Sequence, residues 1–160
     1  MNTLVATRRS PAAPVLVLAV GNPSRGDDAA GPLLADWLAA HNPPGVEVLV
    51  DFQLQIEHAL DLEGRERVIF VDACVDAEDA AVVRPLAPDG CFVHTSHALS
   101  PGQLLETYLR LTGRAPPPAW LLGLRAECFE LGEGLSRVAD AACKAAWPKL
   151  LELCGVASTS

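Results

Sequence analysis

The residues most able to do chemistry stand just beyond short apolar runs. Asn22, Asp27 and Asp28 follow the run Val15–Val20, and Asp51 and Gln53 follow residues 46–50. Asp72 closes residues 67–71, with Asp76, Glu78 and Asp79 close behind. His94, Thr95, Ser96 and His97 come after a weaker extended segment at 82–86, and Glu127 and Glu130 after residues 119–124. Two carboxylates and one imidazole make a mixed oxygen and nitrogen set with room for water or a substrate ligand. Such a set suits zinc, nickel, manganese or iron. The best trio is Asp27 or Asp28, then Asp72, then His97 or His94. One aspartate of the first pair has a competing use as the cap of the helix that follows. His41 and His58 lie at no strand's carboxyl end and are read as structural.

Other chemistries fit less well. Gly21 and Gly26 stand five apart, which is not the spacing of a dinucleotide fingerprint, and no Gly-Lys-Ser/Thr follows. Two aspartates at a helix start would repel a phosphate. Ser96 and His97 are adjacent, no Gly-x-Ser-x-Gly elbow occurs, and no cysteine sits beside a histidine. Cys74 is read as packing.

The elements that position these groups follow from the hydrophobic pattern. Val15–Val20 is continuously apolar, as a strand buried on both faces must be. Residues 22–26 are a turn cluster, and Leu33, Leu34, Trp37 and Leu38 recur at helical spacing until Asn42 to Gly45. Residues 46–50 and 67–71 read as further strands, with a short helix over 55–62 between them. Ser100, Pro101 and Gln103 open a helix with an N-cap serine, a first-turn proline and a capping-box glutamine. Gly113 and the proline run 116–118 end it. Residues 119–124 form the last strand, and a final helix runs from Ser136 to Gly155 with a kink expected at Pro148. Strand–helix alternation predicts a single three-layer α/β domain: a twisted, mostly parallel sheet of about five strands with helices on both faces. In such sheets ligands bind outside the carboxyl ends of the strands, where the polar residues named above converge.

Composition narrows the function classes. The chain has 160 residues, half of them hydrophobic, enough to bury the core of one domain. Its 12 basic and 20 acidic residues give a net charge of −8, which disfavours nucleic-acid binding and favours metal ions or basic partners. No apolar run approaches the ~20 residues of a membrane helix. The five cysteines are odd in number and form no Cys-x-x-Cys, against a disulfide framework or zinc knot. Reduced thiols in a cytoplasmic protein are expected. Arg8-Arg9 precedes an apolar run of only six residues with no cleavage site, so residues 1–14 are read as a flexible extension before a domain at 15–155. No heptad or long apolar edge is evident, and a monomer is expected.

Three segments together resemble a known family. Gly21 to Asp28, reading Gly-Asn-Pro-Ser-Arg-Gly-Asp-Asp after an apolar strand, resembles the opening signature of the hydrogenase maturation endopeptidases. Phe70-Val71-Asp72-Ala73 is similar to the family's second acidic position, and Ser96 to Pro101 to its histidine segment before a helix. The resemblance covers residues 15 to about 153. It implies removal of a C-terminal peptide from the large-subunit precursor of a nickel–iron hydrogenase after nickel insertion. It also implies Asp28, Asp72 and His97 as the metal ligands and catalytic trio, with nickel presented by the precursor and no organic cofactor. Asn22, Asp51 and Gln53 are candidate substrate contacts. Residues 51–57 keep the family's aspartate but lack its usual glycines. With residues 128–134, this version resembles the branch serving NAD-linked, bidirectional hydrogenases. Two other readings compete: a non-catalytic nickel-dependent chaperone, and a phosphoacceptor receiver domain with Asp72 phosphorylated and Mg²⁺ on the acidic pair. Against the receiver, the only lysines, Lys144 and Lys149, lie in the last helix.

Overall fold

The structure, a computed structural model, describes residues 12–91 and 99–156. Five strands form one sheet: β1 (Val15–Val20), β2 (Val46–Asp51), β3 (Arg67–Cys74), β4 (Ala81–Leu86) and β5 (Ala119–Arg125). Their order is β2-β1-β3-β5-β4. The helices are α1 (Ala30–His41), α2 (Pro101–Thr112) and α3 (Arg137–Leu153), with 3-10 segments at Gly26–Ala29 and Ile56–Leu62. β1 is internal, and its apolar run is explained by burial on both faces. Val17 and Ala19 enter a core shared with α1 and α3. Leu16 and Leu18 enter a second core shared with α2 and the Ile56–Leu62 segment. The predicted three layers are therefore present.

Three strand pairings are parallel, and β4 runs antiparallel to β5 at the sheet edge. Pro85 fits there because an edge strand leaves one side unpaired. The reversal corrects one expectation. Residues after β4 leave the sheet at the edge opposite to that of Asp28 and Asp72, so a strand end does not deliver the histidine segment. The chain instead returns beside α2: the Asp89 N–H donates to the Gly102 carbonyl at 2.9 Å, and Gln103 Nε2 donates to the Cys91 carbonyl at 2.9 Å. An all-parallel receiver sheet is not formed.

Helix boundaries follow the local chemistry. Ser100 Oγ accepts the Gln103 N–H at 3.1 Å, and Gln103 Oε1 accepts the Ser100 N–H at 2.9 Å, so the capping box is closed. Ser136 caps α3 by accepting the Ala139 N–H at 3.1 Å, and α3 continues through Pro148. Of the expected extension, residues 1–11 lie outside the described residues. Ala13 and Pro14 accept hydrogen bonds from Arg65, Glu66 and Arg67. No helix among the described residues is long and apolar enough to cross a membrane.

The first turn of α1 sits directly on the ends of β1 and β3. A Cβ on Gly31 would lie 2.8 Å from the Val20 carbonyl oxygen and 3.2 Å from that of Val71. Both are backbone atoms and cannot swing aside. Gly→Ala inside a helix ordinarily gains up to about 1 kcal/mol. Here Gly31→Ala should instead destabilise by about 2 kcal/mol, read as a lowered denaturation midpoint at unchanged m-value.

Candidate functional site

The loop after β1 is folded tightly onto itself. Gly21 has φ +150°, and a Cβ on it would lie 1.9 Å from the carbonyl oxygen of Asp28. Only glycine lets the two ends of the loop meet. The Asn22 N–H donates to Asp28 Oδ2 at 2.8 Å, while Asn22 Oδ1 accepts the Ser24 N–H at 2.9 Å. Asn22 thus shapes the loop through its backbone and its side chain.

The two adjacent aspartates have opposite surroundings. Asp27 is 0% exposed. Its carboxylate accepts the N–H groups of Glu127 (2.9 Å), Cys128 (3.1 Å) and Ser136 (2.7 Å), and the Ser136 hydroxyl at 2.7 Å. Desolvation alone would push its pKa up. The four donors outweigh it and hold the carboxyl below its usual value. Asp27 therefore clips the β1 loop to the segment after β5 and to the cap of α3. Two adjacent acids are visible in the sequence, but their difference depends on donors about 100 residues away. Asp28 is only half-buried, and its carboxylate accepts the Asn22 N–H of the same loop.

Asp72 stands at that edge near the end of β3. Burial pushes its pKa up to about 6, against the Ala73 N–H that binds Oδ1 at 2.8 Å, and the charge of Asp28 adds to the push. Asp28 is thus near enough for its charge to be felt at Asp72, as the smallest of these three influences. Asp51 pairs in register with Val20, and Asp72 lies one step beyond the Ala19–Val71 pair, so the two acids flank the end of β1. Side-chain alternation puts both on the α2 face. Gln53 is exposed on the loop after β2. His94 and His97 lie outside the described residues. The flanks of that segment are Cys91, held by Gln103 of α2, and Leu99, packed on the α2-side core. Among the described residues no three histidine, cysteine, aspartate or glutamate side chains form a metal-ligand group. The donor set contributed here is the two carboxylates, whose hard oxygens suit a divalent cation.

His58 was not expected at this edge. The Ile56–Leu62 segment carries its Nε2 to 3.2 Å from Asp51 Oδ2. The sequence signal was available only as a histidine seven residues beyond a strand-end aspartate, on a segment whose return to the strand depends on burying Ala59 and Leu62.

No protein-family model matches the sequence, and no curated protein does. Solved structures do. The hydrogenase maturating endopeptidase HybD from E. coli is 27% identical, with a TM-score of 0.70 over 86% of this chain and 90% of that one. The hydrogenase 2 maturation peptidase from Thaumarchaeota archaeon SCGC_AB-539-E09 is 26% identical, with a TM-score of 0.65 over 89% of this chain and 99% of that one. In fold and in sequence the chain is similar to solved hydrogenase maturation endopeptidases. The NiFe hydrogenase maturation protease HycI from Thermococcus kodakarensis KOD1 shares the fold at 21% identity and a TM-score of 0.66, over 96% and 99% of the two chains.

Two measurements separate the roles of the acids in this maturation-endopeptidase fold. Asp27→Ala leaves four donors facing the space of a buried carboxylate and should cost about 3–5 kcal/mol, read as a melting temperature lower by roughly 10 °C. Asp72 behaves oppositely. An acid whose folded pKa is raised withholds stability above that pKa, and the loss fades as pH falls from about 6 toward its unfolded value. Asp72→Asn should therefore stabilise the protein by about 1–3 kcal/mol at pH 8, with the difference vanishing near pH 4 in chemical denaturation.

Proposed function

We propose that the chain is an endopeptidase that removes a C-terminal extension from a nickel–iron hydrogenase large-subunit precursor after nickel insertion. The observation that carries this reading is the Asp28–Asp72 pair. Its two carboxylates repel each other at the carboxyl edge of a sheet whose solved relatives are hydrogenase maturation endopeptidases. Neither carboxylate has an ion-pair partner among the described residues. A cation arriving between them would turn repulsion into attraction.

In this reading nickel belongs to the substrate. The precursor holds it through its own cysteines, and Asp28, Asp72 and His97 complete its coordination. A metal-free precursor offers these carboxylates little to grip, so the acids act as a checkpoint for nickel insertion. Docking brings the scissile bond near the metal, which can polarise a carbonyl or acidify a bound water. Asn22, Asp51 and Gln53 contact the docked segment. The reading extends to a monomer acting in the cytoplasm on the precursor of an NAD-linked hydrogenase, the branch that residues 51–57 and 128–134 resemble.

The test is processing of such a precursor, nickel-loaded and nickel-free, followed by intact mass. Loss of one discrete C-terminal peptide is expected from the loaded form only. Asp28→Ala, Asp72→Ala and His97→Ala should each reduce the rate by at least about a hundredfold, with melting temperatures no lower than wild type. Processing that persists in all three variants sinks the site. A stable complex with no cleavage makes the protein a chaperone. The wild-type rate should fall as pH drops through about 6, because a proton on Asp72 competes with the metal.

A further inference from the structure

Asp51 and His58 form a pair that nickel recognition does not use. The chain leaves β2 at Asp51, crosses the exposed residues Phe52 and Gln53, and re-enters the core at Leu54. The Ile56–Leu62 segment then returns His58 over the end of β2. Nδ1 of His58 accepts the Gln55 N–H at 2.9 Å, so the proton of the neutral ring sits on Nε2. That nitrogen faces Asp51 Oδ2 at 3.2 Å, while Oδ1 accepts the Phe52 N–H at 2.7 Å. Oδ1 meets one backbone donor and Oδ2 faces the ring nitrogen, and the carboxylate keeps capacity for a further donor. The imidazole is packed at 13% exposure, and the Asp51 side chain remains reachable at 36%.

The surroundings say what the free capacity can take. The Asp51 carboxylate faces the His58 imidazole. No lysine or arginine among the described residues pairs with it. The chain as a whole carries −8, which draws basic segments toward it. Phe52 and Ile56, one and five residues further along the chain, are exposed at 64% and 60%. The Asp51 carbonyl accepts the Gly21 N–H at 3.0 Å, which ties this corner to the loop carrying Asp28. Two inter-strand spacings separate Asp51 from Asp72, about 10 Å, or roughly three residues of extended peptide.

We propose that His58 is a positioning residue that holds the Asp51 carboxylate as the contact for a lysine or arginine side chain of the precursor, with Phe52 and Ile56 taking apolar residues beside it. The proposal rests on the protease reading and names the substrate chemistry at its flank. His58 also caps the 3-10 segment through Nδ1, so a test must separate that role from the one toward Asp51.

The two ring nitrogens let the roles be separated. His58→Asn keeps an acceptor near the Nδ1 position and removes the group facing Asp51. His58→Gln keeps an N–H near the Nε2 position and removes the acceptor. With nickel-loaded precursor, His58→Asn should raise KM about tenfold, leaving kcat within about twofold, and should melt like wild type. His58→Gln should keep KM near wild type while melting lower. Asp51→Asn should raise KM similarly and flatten its dependence on salt. A wild-type KM in His58→Asn, a KM loss confined to His58→Gln, or ¹⁵N spectra placing the His58 proton on Nδ1 would each overturn the proposal. If wild-type protein leaves the precursor uncut, the protease reading fails separately. The comparison then passes to Kd for the same precursor, where equal values for wild type and His58→Asn overturn the positioning role.

Discussion

A carboxylate with no exposure to solvent is tolerable only if the protein replaces the water it lost, and Asp27 shows how this is done. Three backbone N–H groups and one hydroxyl meet it, all from residues 127–136. The contact closes the molecule at the carboxyl edge, because it joins the loop after β1 to the segment after β5 and to the first turn of α3. Ser136 has a double duty, donating its hydroxyl to Asp27 while accepting the Ala139 N–H as the helix cap. The start of α3 and the shape of the β1 loop therefore stand or fall together. Everything the edge presents to a partner is held from behind by this one buried charge.

With Asp27 turned inward, its neighbour Asp28 is left half-buried. Gly21 and Gly31 complete the arrangement by removing side chains where backbone must touch backbone. Gly21 lets the loop close on Asp28, and Gly31 lets α1 descend onto the ends of β1 and β3. A larger residue at either position would lift the loop or the helix away, and Asp28 would move away from Asp72.

Much of this was legible in the sequence for local reasons. The apolar run of β1, the capping box at Ser100 and the stop at Gly113 are decided by residues within a few positions of one another. So are the strand-end positions of Asp51 and Asp72. The direction of β4 was not legible, because Val82 and Val83 fit either orientation and the choice is made by pairing with β5. The division of labour between Asp27 and Asp28 came from resemblance rather than from residue types, since its physical cause lies about 100 residues away. His58 lies at no strand's carboxyl end in the sequence, and its closeness to Asp51 depends on how the Ile56–Leu62 segment packs, which periodicity does not encode.

The carboxylates along the edge differ in how far their demand for positive charge is met. Asp27 has four donors and is satisfied by the fold. Asp51 has the Phe52 N–H and faces the His58 imidazole. Asp28 and Asp72 have one backbone donor each among the described residues, from Asn22 and Ala73, and each meets the other's charge. A folded chain keeps such an arrangement at a cost in its own stability, and the cost is recovered only when something positive arrives. The gradient runs from full satisfaction behind the loop to open demand between Asp28 and Asp72. It distinguishes the carboxylate that builds the edge from the pair on which the proposed function rests.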